Sequence, residues 1–135
     1  MSEADVEHVR QTLERWTRND REAAWAGWAE DATTNAPKEW PEAASSKGLD
    51  QVRAVFDGFD EAFGPEWPTH MTIERIADVG GGRVLVEFDW KPSGASSGIS
   101  VDQPITGIYT VAGGRIVHAD FFLSHEEARK ATGLE

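Results

Sequence analysis

The sequence predicts an α+β domain in which a curved antiparallel sheet wraps around three N-terminal helices, in the order α-α-β-α-β-β-β-β. Three observations lead there. Apolar residues recur at helical spacing as far as Phe63, they alternate with polar residues from Met71 onward, and Gly80-Gly81-Gly82 and Ala112-Gly113-Gly114 supply turns between neighbouring alternating runs. Helices followed by a meandering sheet is the pattern in which one sheet face is buried on the helices. At 135 residues the chain suits one core, so residues 1–135 are read as a single domain.

Val6, Val9, Leu13 and Trp16 give the first helix, roughly Glu3 to Arg18, one apolar face. Asn19 is placed to cap a second helix, with Glu22 three residues on, and Ala24, Trp25 and Trp28 form its inner side before Glu30-Asp31 end it. Ala32-Thr33-Thr34-Asn35-Ala36 reads as a short strand stopping at Pro37. Pro41, Ser45, Ser46 and Gly48 then mark a long loop that carries Trp40. Val52, Val55, Phe56, Phe59 and Phe63 define a third helix from Leu49, closed by Gly64-Pro65. Four strands follow, with the buried sets Met71, Ile73, Ala77 and Val79; Val84, Val86, Phe88 and Trp90; Ile99, Val101, Ile105 and Tyr109; and Val117, Ala119, Phe121 and Leu123. Pro92 to Gly98 is a flexible link, and Ser124-His125-Glu126-Glu127 is a capping box that opens a terminal helix closed by Gly133.

Composition narrows the function classes. Lys plus Arg number 13 against 24 Asp plus Glu, a net charge of −11, and such a field repels the phosphates a nucleic-acid binder must neutralise. No apolar run approaches the roughly 18 residues of a membrane span, and the first residues are acidic where a secretion signal is basic. The expectation is a cytoplasmic protein without nucleic-acid or membrane partners. With no Cys, disulfides and thiol chemistry are excluded, and no His and acid share a metal-ligand spacing, so neither metal nor cofactor is expected.

Three segments carry a family resemblance. Trp28-Ala29-Glu30-Asp31-Ala32-Thr33 resembles "F-A-x-D-A", Gly48-Leu49-Asp50-Gln51-Val52-Arg53-Ala54-Val55-Phe56 resembles "G-x-x-x-I-R-x-F", and Gly113-Gly114-Arg115-Ile116-Val117 resembles "D-G-K-I". With the element order, they make the chain look like the nuclear transport factor 2-like superfamily, closest to SnoaL-like, polyketide cyclase-like domains. That resemblance implies a cystatin-like fold with a cone-shaped pocket. It also exposes departures from the superfamily's enzymes. Ketosteroid isomerases place a general-base Asp before the Pro that ends the first strand, where this chain has Ala36 before Pro37. Their oxyanion acid falls at Thr106 or Gly107 here, and their Tyr at about Thr12. Limonene epoxide hydrolases need inward carboxylates, whereas alternation turns Glu87 and Asp89 outward.

The expected function is therefore the binding of a small, largely hydrophobic molecule of about ten to twenty heavy atoms in an apolar pocket with a few orienting polar groups. Phe56, Phe59, Phe88 and Trp90 would form walls and Trp40 a lid, or else a residue packed on the third helix. Gln103 and Tyr109 share the inward parity and either meet the ligand or bond to neighbouring backbone. An alternative is a cyclase, isomerase or dehydratase using His70 at the pocket rim, or His118 with Asp120, as acid-base groups. His118 and Asp120 have the parity opposite to Ala119 and Phe121, which points to the outer face. Arg75 interrupts an apolar alternation, either by a bulge or to reach an anion, and His8 and His125 read as structural. A third reading is a non-catalytic dimeric interaction module. A homodimer is expected because Ile76, Leu85, Ile108 and Phe122 would otherwise leave the outer face in water.

Overall fold

Helix α1 (Ser2–Thr17) buries Val9, Leu13 and Trp16, the expected stripe. The structure, a computed structural model, describes residues 2–37, 45–91 and 103–133. Asn19 does not cap the next helix. It lies in the left-handed region at φ 63°, where its Oδ1 accepts a hydrogen bond from Arg21 Nε at 2.8 Å. Helix α2 (Arg21–Trp25) is also shorter than expected, because the chain already enters strand β1 (Trp28–Asn35) at Trp28. The Gly27 carbonyl fixes that departure: it is bonded by His8 Nε2 and accepts from the Ile116 N–H, both at 2.9 Å.

Ser45 and Ser46, expected in a loop, belong to a short strand β2 (Ser45–Lys47) paired antiparallel with β1. Helix α3 (Leu49–Phe63) and a 3-10 turn (Trp67–His70) lead into β3 (Met71–Gly80), β4 (Arg83–Trp90), β5 (Gln103–Ala112) and β6 (Arg115–Phe122), and α4 (His125–Thr132) closes the chain. The sheet order is β2-β1-β6-β5-β4-β3. All pairings are antiparallel except β1 with β6, which run parallel. Helices α1, α2 and α3 pack on the inner face around one core that includes Val52, Val86, Phe88 and Ile116. Trp40, Ile99 and Val101 lie outside the described residues.

The register of β3 slips between Ile73, opposite Phe88, and Arg75, opposite Glu87, after which Ile76 faces Val86. Such a bulge reverses the side-chain parity of everything beyond it. Arg75 is thereby turned outward beside Glu87, and Ile76, expected on the outer face, packs on the inner core instead. Part of the outer face is then covered by the chain itself. Leu85 and Ile108 are buried with Ala128 of α4, and Phe122 packs against them. Glu87 does point outward, but to a partner within the chain: Arg129 of α4 donates from Nε and Nη2 to its two oxygens at 2.6 and 2.7 Å. All four residues that argued for a second copy thus pack within one chain.

Candidate functional site

The three helices and the concave sheet face leave an apolar cavity of about 70 Å³ between them. A buried water requires about 10–15 Å³ by this measure, so the space takes roughly five to seven water-sized groups. The expected wall residues Phe56, Phe59, Phe88 and Trp90 line it, and so does Tyr109, expected as an orienting group. So do residues that the sequence reading left in the core, Trp16, Trp25 and Trp28, together with Trp67 and Phe121. Their signal was an apolar helical stripe or strand parity, which does not distinguish a core contact from a cavity wall.

The walls are a connected set of aromatic pairs. Trp16 meets Trp25 and Trp67 edge-on at centroid distances of 5.3 Å, and Trp25 lies 5.5 Å from Trp28. Tyr109 lies edge-on to Trp28 at 6.1 Å and to Phe121 at 5.9 Å, and Phe121 reaches back to Phe56 at 5.8 Å. Edge-to-face pairs at these spacings add to the burial of each ring and restrict how it can turn. At one end of the set the Trp67 indole donates to Asp60 Oδ1 at 2.9 Å, while Arg21 donates to both Asp60 oxygens at 2.9 and 2.8 Å. The Arg21 hydrogen bonds hold the Asp60 carboxyl below its usual range, so it stays ionised and keeps Trp67 in place.

Polar groups on the wall are few. Thr12 is buried there, but its hydroxyl donates to the His8 carbonyl at 2.8 Å. Tyr109 is 3 % exposed, burial pushes its phenol up so that it stays neutral, and no hydrogen bond of its hydroxyl occurs among the described residues. Gln103 is a correction. It does not line the cavity; its amide donates to the Pro104 and Leu123 carbonyls at 2.8 and 3.5 Å, the backbone alternative. Trp40 lies outside the described residues.

The candidate acid-base groups stand elsewhere. His70 is exposed in the 3-10 turn, and although its neighbours Trp67 and Met71 are wall residues, it is not one. His118 and Asp120 lie on the outer face as parity implied, His118 bridging Thr33 Oγ1 at 2.6 Å and Asp120 Oδ1 at 3.0 Å. Asn35 also donates to Asp120 at 2.7 Å, so the group ties β6 to β1. His8 bonds Gly27 and His125 bonds Thr106 Oγ1 at 2.5 Å, both structural as expected. At the isomerase positions, Ala36 lines the cavity, Thr106 is buried on the outer face beneath α4, and Gly107 carries no side chain. Among the described residues no carboxylate or imidazole lines the cavity.

Residues 9–119 match the family of SnoaL-like domains. The chain belongs to that family. No curated protein matches it. Solved structures extend the likeness across the SnoaL-like fold. A protein from a soil-derived mobile gene cassette superposes with a TM-score of 0.75 at 16% identity, covering 97% of each chain. TerC, co-crystallised with polyporic acid, gives 0.73 at 12% identity over 96% of this chain and 98% of its own. A protein from Jannaschia sp. CCS1, provisionally assigned as a SnoaL-like polyketide cyclase, gives 0.68 at 19% identity over 98% and 93%. At such identities the structures speak for the nuclear transport factor 2-like fold alone. No helix among the described residues is long and apolar enough to cross a membrane, and no group of three His, Asp or Glu among them could hold a metal.

Proposed function

We propose that this SnoaL-like domain binds a small, largely apolar molecule in its aromatic cavity and performs no acid-base chemistry there. The observation that carries the reading is the wall itself, a ring of Trp, Phe and Tyr side chains around a space that, among the described residues, meets no ionisable group other than the Tyr109 phenol. Pockets that take small organic molecules are mostly apolar with one or two groups that fix orientation. The space as it stands takes roughly five to seven heavy atoms, below the expected range, so a ligand of about ten enters only as the rings part. The co-crystallisation of TerC with polyporic acid accords with this fold accepting an organic ligand.

The enzymatic alternative is disfavoured by placement, because His118 and Asp120 are bonded to β1 side chains on the other side of the sheet and His70 stands outside the wall. Titrating the protein with compact aromatic compounds while following Trp fluorescence and melting temperature tests the reading, since anything that binds only the folded state raises the melting temperature. Compounds of about ten heavy atoms should do so saturably. A panel that moves neither signal would leave the cavity as an unoccupied packing gap.

A further inference from the structure

Two tryptophans on the cavity wall differ in one respect. Trp67 and Trp90 are each 4 % exposed and their rings lie 5.8 Å apart. The Trp67 N–H is satisfied by Asp60, whereas Trp90 Nε1 is buried with no acceptor among the described residues. Trp90 is also held in position: Phe63 packs edge-on against it at 4.8 Å and Trp67 bounds another side. Its backbone sits at the end of β4, opposite Met71 on β3 and Gln103 on β5. A buried donor without an acceptor costs stability that phenylalanine at the same place would not. It is therefore a feature that a bound acceptor would complete.

We propose that Trp90 is the polar anchor of this cavity and that its ligand carries a neutral oxygen acceptor, as in a ketone, aldehyde or ether, seated on the indole N–H. The inference rests on the cavity-binding reading above. The acceptor is neutral because no cationic side chain among the described residues lines the space, and an anion there would lose its hydration without a counter-charge. An unpartnered indole donor among largely apolar walls matches a compact apolar body bearing one oxygen, with the Tyr109 hydroxyl as a second polar contact.

A pair of isosteric probes tests this. Acetophenone and α-methylstyrene differ only in a carbonyl oxygen against a methylene group. Their dissociation constants are measured on the wild type and on Trp90→Phe, so that any change in cavity shape is shared by both probes and cancels in the ratio. The ratio should shift by about tenfold against the ketone in the variant, the worth of one hydrogen bond. In the 15N-labelled wild type, one of the six indole N–H signals should move downfield with acetophenone and not with α-methylstyrene, a readout that holds even if Trp90→Phe fails to fold. An unchanged ratio, or no indole signal that responds to the ketone alone, overturns the anchor while leaving the cavity reading intact. Binding of neither probe to the wild type overturns the cavity reading and the anchor with it.

Discussion

The Tyr109 ring lies across the bare Cα of Gly107, two residues earlier on β5. A Cβ added to Gly107 would stand 2.6 to 2.8 Å from the ring and its hydroxyl oxygen. Glycine at 107 is what lets the phenol lie along the sheet, and Trp28 and Phe121 brace the ring there. Gly107→Ala should push the ring off its seat and cost about 1–3 kcal/mol, the usual penalty for overpacking a filled interior. Urea unfolding measures it, and a change within a few tenths of a kcal/mol would mean the ring is free to move.

The phenol itself should matter to the ligand more than to the fold. Its hydroxyl makes no hydrogen bond among the described residues. Tyr109→Phe should therefore leave the unliganded protein's melting temperature nearly unchanged and weaken an oxygen-bearing ligand by about 1 kcal/mol where the hydroxyl meets it. A loss of several kcal/mol from the free protein would instead make the phenol a core group.

Acid should unfold the protein partly through Glu87. Its carboxyl is held below the ordinary value of 4.5 chiefly by the Arg129 hydrogen bonds, with the positive charges of Arg129, His125 and Arg75 in support. A folded value lower than the unfolded one stabilises the protein fully above the unfolded value, and that stabilisation drains away as pH falls through the folded one. Stability should thus decline below about pH 5, and Glu87→Gln should be less stable at pH 7 with a shallower slope through the acid range. Asp60, lowered by Arg21 in the same sense, supplies slope that survives in the variant. Parallel curves for wild type and variant in acid unfolding would remove Glu87 from this role.

His118 and Asp120 should be separable from binding. Asp120→Ala removes the acceptor for both Asn35 and His118 on the outer face and should loosen the β1–β6 pairing by about 1 kcal/mol. Affinity for a cavity ligand should stay within twofold. A tenfold loss of affinity at unchanged stability would tie this pair to the cavity and revive the acid-base reading.

Much of this was legible in the sequence because periodicity reports directly on buried faces. The stripe of α1, the alternation of Val84, Val86, Phe88 and Trp90, and the outward parity of His118 and Asp120 all hold in the structure. What stayed hidden depends on partners distant in sequence. The slip at Ile73 and Arg75 moves Ile76 inward through its pairing with β4, and nothing local in Glu74-Arg75-Ile76 marks the position. Trp28 continues the helical spacing of Ala24 and Trp25, yet the Gly27 carbonyl is claimed by His8 and Ile116, and the chain becomes a strand. Gln103 has inward parity, but backbone carbonyls within reach of its amide took it first. The size of the cavity was beyond sequence reasoning, because it is the residue of how many rings pack together.

The most direct measurement fills the space. Ala36 is half-buried at the end of β1 and lines the cavity, so Ala36→Leu places three more carbons where a ligand would lie. With acetophenone titrated by thermal shift and Trp fluorescence, the wild type should show a saturable rise in melting temperature. The variant should melt at or above the wild-type temperature without ligand and show no rise with it, because cavity filling stabilises and competes at once. An equal ligand-induced rise in both proteins, or none in the wild type, would contradict binding in this cavity.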